Sequence, residues 1–175
     1  GRAQALLLAI HRLRQQHQIP DLPVFLDSPM AVEATRVYRR FRAGLRIDGA
    51  DMRGLTQVAR MVTTPAQSRA LNDLRTPAVI VASSGMATGG RVLHHMKLLA
   101  PDPRHLIVFA GYQAGGTRGA QLVGGAREVK IHGQWVPVNA QVESLPGMSA
   151  HADHNQLLDW LRAMPAAPRQ VYLVH

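Results

Sequence analysis

Residues 149–154 have the composition and spacing of a hydrolytic site. They read S-A-H-A-D-H and match most of H-x-H-x-D-H, a pattern that supplies ligands to two-metal hydrolytic sites. Ser149 stands where that pattern begins with histidine, and no other stretch contains H-x-H. The other histidines lack ligand spacing and are predicted to be surface or packing residues: His11, His17, His94, His95, His105 and His132. We therefore expect that this chain alone does not build a dinuclear metal site.

Two histidines flank the last predicted helix. His151 precedes this helix, and His175 ends the strand predicted to follow it. A strand that follows a helix after a short turn packs back near it, so both imidazoles can reach one pocket. For a histidine at a strand end, such as His175, the alternative is a semi-buried side chain that is hydrogen-bonded and has no part in catalysis.

A second candidate site lies in the loop 83–91, between a buried strand and a helix. In open α/β sheets ligands bind at the carboxyl ends of strands, and glycines let backbone N–H groups approach an anion. Four side chains would complete a phosphate cradle: Ser83, Ser84, Thr88 and Arg91. The spacing fits neither G-x-G-x-x-G nor G-x-x-x-x-G-K-[ST], so dinucleotide and P-loop sites are not indicated. A tight turn that needs small residues is the alternative.

Hydrophobic periodicity and turn residues predict the elements that position these groups. Ser28 is the predicted N-cap and Pro29 the first residue of the second helix. A strand, a helix and a strand in succession indicate a βαβ unit and an α/β core with a parallel or mixed sheet. The predicted helices cover 2–16, 29–42, 65–74, 91–100 and 154–164, the strands cover 23–26, 58–62, 78–82, 106–110 and 171–175, 43–56 is a loop, and 128–131 and 136–142 form antiparallel ribbons.

Composition restricts the classes of partner and of site. The net charge is +9, and Lys97 and Lys130 are the only lysines among 20 basic residues. Arginine binds phosphate oxygens bidentately, which favours a polyanionic partner, but a GC-rich genome would produce the same excess of arginine. The absence of cysteine excludes disulfides and thiolate zinc sites. The absence of cysteine also fits a reducing cytoplasm, where we expect the protein to be located. No apolar run approaches the roughly 20 residues of a membrane span, so we expect no membrane partner.

Several stretches together resemble the β-CASP ribonucleases, which are RNA nucleases of the metallo-β-lactamase fold. They are G-R-A-Q-A-L-L-L (1–8), D-S-P-M-A-V-E-A-T-x-V-Y-R-R (27–40), A-S-S-G-M-A-T-G-G-R-V-L-H-H (82–95), F-A-G-Y-Q-A-x-G-T-x-G (109–119), S-A-H-A-D (149–153) and V-Y-L-V-H (171–175). The resemblance covers essentially the whole chain in the expected order. It implies a β-CASP cap domain over 1–120 and a returning, incomplete part of the αββα metallo-β-lactamase domain over 121–175.

The resemblance also implies roles for individual residues. His151 matches the histidine that contacts the scissile phosphate or acts as general acid, and Asp153 would orient its neighbour. His175 matches the terminal metal-ligand histidine. Ser83, Ser84 and Gly85 fall where the cap loop faces RNA phosphates, with Arg91 beside them.

The function implied is that of the C-terminal part of a zinc-dependent ribonuclease. In the full-length protein, water activated between two zinc ions would attack a phosphodiester of single-stranded RNA. Most metal ligands would precede Gly1, so we expect the isolated 175 residues to be inactive. Two alternatives remain open: a non-catalytic RNA-binding or scaffold module, and a phosphate-binding α/β module of a small-molecule enzyme. A homodimer is also left open.

Overall fold

The structure, a computed structural model, describes residues 1–148 and 152–172. Its first part is a three-stranded parallel sheet of order β2-β1-β3, in which Asp27 at the end of β1 is in register with Ala82 at the end of β3. The elements of this part are α1 (Arg2–Gln15), β1 (Val24–Asp27), α2 (Pro29–Arg40), α3 (Gly49–Gln57), β2 (Arg60–Met61), α4 (Pro65–Ala70) and β3 (Val79–Ala82).

One apolar core joins the sheet to the first three helices. Leu7 of α1, Leu26 of β1 and Leu55 of α3 are fully buried, and α1 packs closely on α3. The predicted start of α2 is confirmed: the backbone N–H of Ala31 donates to Oγ of Ser28 at 3.2 Å, and Pro29 is the first helical residue. The core therefore fixes the residues that follow β1.

The predicted loop over 43–56 is wrong, because most of it belongs to a short turn of 3₁₀ helix and to α3. Asp48 caps α3 by accepting a hydrogen bond from the N–H of Asp51 at 2.7 Å. Glycine has a low helix propensity, so Gly54 disfavours a helix here. A Cβ at this position, however, would overlap the imidazole of His11. Close packing of α3 on α1 outweighs the low helix propensity of glycine.

The second part of the chain has its own core and a second parallel pair of strands. Its elements are α5 (Arg91–Leu99), β4 (Leu106–Ala110), α6 (Arg118–Val123), β5 (Glu128–Ile131), β6 (Gln134–Pro137), β7 (Gln141–Leu145) and α7 (His154–Arg162). β4 pairs in parallel with β7, and β5 pairs antiparallel with β6. Leu93, Met96, Phe109, Leu122 and Ile131 contribute to the buried core of this part.

Two predicted strand relationships need correction. The antiparallel ribbon predicted over 136–142 is divided: β6 ends at Pro137, and β7 begins at Gln141 and pairs with β4 instead. β3 and β4, expected to neighbour each other across α5, pair with β1 and β7 respectively. In both cases the pairing partner is distant in sequence, where local patterns carry no information about it.

The fold class is confirmed as α/β with parallel sheets. The predicted division after residue 120 falls within α6, and the two domains stay a prediction. Of the strand predicted over 171–175, Val171 and Tyr172 lie outside the helices and strands, and the remainder is outside the described residues. Among the described residues, no helix has the length and apolar character to cross a membrane.

Candidate phosphate-binding site

The carboxyl ends of β1 and β3 meet at one edge of the first sheet. Ser28 follows β1 and Ser83 follows β3, and their Oγ atoms lie 2.7 Å apart. Ser83 begins the segment 83–90, which we call the cap loop; it connects β3 to α5. The predicted position of this loop, at the sheet edge where α/β proteins bind ligands, is therefore confirmed.

A fully buried carboxylate lies directly beneath this edge. Asp27 accepts hydrogen bonds from Oγ of Ser68 at 2.5 Å, from Nη1 of Arg91 at 2.6 Å and from the imidazole of His95, whose Nε2 lies 2.7 Å away. The other ring nitrogen of His95 lies 3.1 Å from Oδ1 of Asn72. Asp27, at the end of β1, is thus hydrogen-bonded to α4 through Ser68 and to α5 through Arg91 and His95.

The pKa of Asp27 reflects two opposing effects, its burial and its hydrogen bonds. Burial acts to raise the pKa of the carboxyl group, but the hydrogen bonds from Ser68, His95 and Arg91, with the positive charge of Arg91, outweigh it and lower the pKa below its usual range. Asp27 is therefore ionised at neutral pH. It is a buried anion that holds an arginine and a histidine next to the cap loop.

Short internal contacts shape the cap loop. Oγ of Ser84 lies 3.0 Å from Oγ1 of Thr88 and accepts a hydrogen bond from the N–H of Thr88 at 3.3 Å. Gly90 has φ +77°, and a Cβ there would lie 2.6 Å from the carbonyl oxygen of Ser83. Among residues 1–148 and 152–172, no acceptor is hydrogen-bonded to the backbone N–H groups of Gly85, Gly89 or Gly90. The loop therefore presents backbone donors that remain available for an anion.

The segment that follows β4 holds the cap loop from the other side. The side-chain amide of Gln113 donates to the carbonyl of Gly85 at 3.0 Å, and the N–H of Gly119 donates to the carbonyl of Met86 at 3.0 Å. Arg118 donates to the carbonyl of Ala87 at 3.2 Å. These bonds occupy carbonyl groups of the loop, and none of them uses the N–H groups of Gly85, Gly89 or Gly90.

Arg2 was not among the predicted site residues, but the structure places it at the cap loop. Its Nη1 donates to the carbonyl of Ala110 at 2.9 Å, and a Cβ on Gly85 or on Gly111 would lie 3.8 or 2.9 Å from the same nitrogen. The guanidinium thus lies between the cap loop and the residue after β4. Among the described residues its side chain makes that one hydrogen bond, which leaves further N–H donors of the five. Arg2 lies in the first turn of α1, far from the cap loop in sequence, so no local sequence pattern indicated this contact.

Arg91 lies at the site, but its donors are directed into the protein. Nη1 donates to Asp27 and to the carbonyl of Val62 at 3.1 Å, and Nη2 donates to the carbonyl of Thr63 at 3.1 Å. The guanidinium fastens the start of α5 to the end of β2. Its predicted contact with phosphate stays a prediction, as do those of Ser83, Ser84 and Gly85.

The other predicted site residues lie at the far end of the chain. Asp153 caps α7, where its carboxylate accepts a hydrogen bond from the N–H of Gln156 at 2.9 Å. His151 and His175 are outside the described residues. Within 1–148 and 152–172 no group of three or more His, Cys, Asp or Glu side chains could hold a metal ion. His175, the ligand that the resemblance implies within this chain, is outside the described residues, so the implied zinc sites stay a prediction.

Comparison with known proteins accounts for the whole chain. The Beta-Casp domain family matches residues 3–122, and the family described as Zn-dependent metallo-hydrolase RNA specificity domain matches residues 135–175. Ribonuclease TTHA0252 of Thermus thermophilus is 37% identical over 99% of this chain and 40% of its own length. Transcription termination factor FttA of Methanocaldococcus jannaschii is 35% identical over 100% of this chain and 29% of its own length.

An RNase J-like protein of Methanocaldococcus jannaschii is 30% identical over 100% of this chain and 40% of its own length. The chain thus spans less than half the length of these relatives. The matched region contains the sheet, the buried Asp27 and the cap loop described above. The chain belongs to the β-CASP family.

Proposed function

We propose that this chain is the RNA-binding portion of a zinc-dependent ribonuclease, and that the cap loop receives a phosphate of single-stranded RNA. The observation that carries this proposal is the cap loop itself. Backbone N–H groups of Gly85, Gly89 and Gly90 are available there, beside the hydroxyls of Ser84 and Thr88. Backbone donors on a glycine-rich turn before a helix suit an anion.

Arg2 supplies the positive charge of this proposed site. Its guanidinium lies between the cap loop and Gly111 and retains N–H donors that point to no described acceptor. Arg91 contributes indirectly, because its bonds to Asp27 and to the end of β2 fix the first turn of α5. Arginine matches phosphate oxygens in charge and geometry, which supports a polyanionic substrate over a neutral one.

For the longer protein, we propose hydrolysis of RNA phosphodiesters with two zinc ions. The support is the similarity to Ribonuclease TTHA0252 and the match to the Zn-dependent RNA specificity family. His151 would contact the scissile phosphate or protonate the leaving oxygen, Asp153 would orient it and His175 would be a metal ligand. The cap domain would cover 1–120 and the returning metallo-β-lactamase part 121–175.

A second candidate is RNA binding without hydrolysis. Relatives such as those of Methanocaldococcus jannaschii and Pyrococcus abyssi are named transcription termination factor FttA, and that name describes an action on transcription. A module of this kind would use the same cap loop. Cleavage, and not binding, distinguishes the two candidates.

The direct test is equilibrium binding of fluorescent oligouridylate to the 175-residue chain over a series of salt concentrations. We expect a steep salt dependence, because each phosphate contact with single-stranded RNA contributes about 0.7 to the slope of log K against log salt. Arg2→Met should weaken binding and lower the slope by about 0.7. Arg75→Met, which removes an exposed arginine far along the chain, is the matched control.

If the Arg2→Met and Arg75→Met chains bind RNA equally well, Arg2 is not part of the site. The absence of any salt-dependent binding by the unmodified chain would overturn the RNA assignment. Free nucleotide and inorganic phosphate would be compared as competitors of RNA. If nucleotide displaces RNA at a concentration at which phosphate does not, the site is instead one for a small molecule.

A further inference from the structure

The outer face of α2 carries an apolar ridge that no described element covers. Met30, Val37 and Phe41 are 74%, 53% and 60% exposed. They are spaced seven and four residues apart, so they align along one side of the helix, while Val32 and Thr35 face the core on the other. This arrangement leaves three large apolar side chains in a row in solvent.

Arginines border the far end of this ridge. Five lie within residues 36–46, and no acidic residue occurs between Glu33 and Asp48. All five are exposed: Arg36, Arg39, Arg40, Arg42 and Arg46. We call these five residues and Phe41 the arginine patch.

Helix capping explains only part of this charge. Arg39 and Arg40 in the last turn of α2 stabilise the negative end of the helix dipole. Arg42 and Arg46 lie beyond the helix, where that explanation fails. Arg36 pairs with Glu33, whereas among the described residues no carboxylate lies within 4.0 Å of the guanidinium groups of the other four.

Phe41 and Arg40 have the geometry of a stacking platform. The guanidinium carbon of Arg40 lies 5.4 Å from the centroid of the Phe41 ring, within cation–π range. Exposed aromatic rings beside arginines bind single-stranded nucleic acids by stacking on bases while the arginines contact phosphates. A protein partner would need acidic groups opposite these arginines, whereas RNA offers both a base and a phosphate at every nucleotide.

The ridge begins at the cap loop and ends at the arginine patch. Met30 is two residues from Ser28, whose Oγ lies 2.7 Å from that of Ser83. α2 has 12 residues and is therefore about 18 Å long. A strand that leaves the cap loop along α2 would pass apolar side chains suited to bases and would reach the arginines at the end.

We propose that the arginine patch is a second RNA contact, which binds the same single strand one helix length from the cap loop by stacking a base on Phe41 and holding phosphates with Arg40, Arg42 and Arg46. This inference rests on the proposed function, because it assumes that the cap loop binds RNA. It adds a surface remote from that loop. The patch increases affinity for long RNA and leaves the affinity for a fragment that fills only the loop unchanged.

The test compares a trinucleotide with an oligouridylate long enough to cover α2, both bound to the 175-residue chain. The triple variant Arg40→Ala/Arg42→Ala/Arg46→Ala should lower the salt slope for the long RNA by about 2, from three lost phosphate contacts. It should leave trinucleotide binding unchanged. The triple variant Arg69→Ala/Arg75→Ala/Arg127→Ala removes the same charge from exposed positions elsewhere and should retain most of the slope.

Substitutions of Phe41 distinguish stacking on an RNA base from docking of a protein. Phe41→Ala and Phe41→Leu should each weaken long RNA about tenfold, because both remove the aromatic face. Phe41→Tyr should bind normally. If Phe41→Leu binds RNA like the unmodified chain, stacking is wrong.

The remaining outcomes distinguish this inference from the proposed function. If both triple variants lose affinity equally, the effect is one of net charge and the patch is not a site. If Arg2→Met weakens both RNAs while the patch variants change neither, the cap loop binds RNA and the patch does not. RNA binding unaffected by the patch, together with a dimer that Phe41→Ala converts to a monomer, would show that this face docks protein.

Discussion

Nη1 of Arg91 lies 2.6 Å from Oδ1 of the fully buried Asp27, so the arginine of the cap-loop motif A-S-S-G-M-A-T-G-G-R neutralises a carboxylate inside the protein. The sequence suggested a residue that reaches outward to phosphate. The structure assigns it a contact that holds β1, β2 and α5 together at the base of the cap loop.

Removal of Arg91 should destabilise the protein strongly. Arg91→Met leaves the carboxylate of Asp27 buried without its cationic partner, and loss of one member of a buried pair typically costs about 3 kcal/mol or more. Urea unfolding would measure the change in the free energy of unfolding. Arg104→Met, which breaks the solvent-exposed pair of Arg104 with Asp102, should leave that free energy nearly unchanged. Equal effects of the two substitutions would contradict the structural role of Arg91.

The stability of the protein should fall in acid, in part because of Asp27. Its pKa is lowered in the folded state, so the unfolded chain takes up this proton at higher pH than the folded protein. The stabilising contribution is therefore complete above the usual carboxyl range, about pH 4, and is lost as the pH falls through the lowered value.

Asp27→Asn isolates this contribution. Hydrogen bonds from Arg104 and Arg12 lower the pKa values of Asp102 and Asp51, and these groups titrate alike in both proteins. The difference in unfolding free energy between unmodified and Asp27→Asn chains should thus be largest near neutral pH and narrow below about pH 4. Parallel stability curves across that range would show that Asp27 is not responsible.

Two adjacent glycines of the cap loop should respond differently to alanine. Gly90→Ala places a Cβ 2.6 Å from the carbonyl oxygen of Ser83 and requires a positive φ of 77°. We expect a loss of about 1–3 kcal/mol in unfolding free energy and weaker RNA binding. Gly89→Ala meets no atom within 4 Å and should be close to neutral. Thermal unfolding of both variants, with RNA binding, would show whether the conformation of the loop matters for either property.

Catalysis should require more than these 175 residues. The sequence has no H-x-H-x-D-H, so we expect no RNA cleavage by this chain with Zn²⁺ or Mn²⁺ added. In a longer protein that does cleave RNA, His151→Ala should slow the chemical step about 10²- to 10⁴-fold, as the loss of a general acid does. His154→Ala, at the exposed start of α7, is the control.

Metal-dependent cleavage by the 175-residue chain, checked after chelation and metal replacement, would refute this expectation. Unchanged single-turnover rates for His151→Ala in the longer protein would exclude His151 as the acid. Binding of RNA by both variants provides a measure of folding that is independent of cleavage.

The sequence predicted those features that depend on neighbouring residues. Ser28 and Pro29 mark the start of α2 because capping is a local hydrogen bond, and the apolar run 106–110 indicated β4 by itself. α3 was missed because Gly49 and Gly54 lower helix propensity, while its stability comes from packing on α1.

Contacts between distant residues were not accessible in this way. His95 was predicted to be a surface or packing residue; its ring is buried but hydrogen-bonded to Asp27, 68 positions earlier. Arg2 reaches the residue that ends β4, 108 positions later. The cap loop was found because its glycines and hydroxyls are contiguous, but the groups that support it come from distant segments of the chain: Arg2, Ser28, Gln113 and Arg118.

The attachments of the cap loop on two sides have a thermodynamic consequence. Ser28 holds its first residue to the β2-β1-β3 sheet, and Gln113 and Gly119 hold its middle to the segment that leaves β4. A ligand bound to this loop therefore engages both apolar cores, and its binding free energy opposes the unfolding of either one. RNA should make the two cores unfold as a single cooperative unit, even though their strands belong to different sheets.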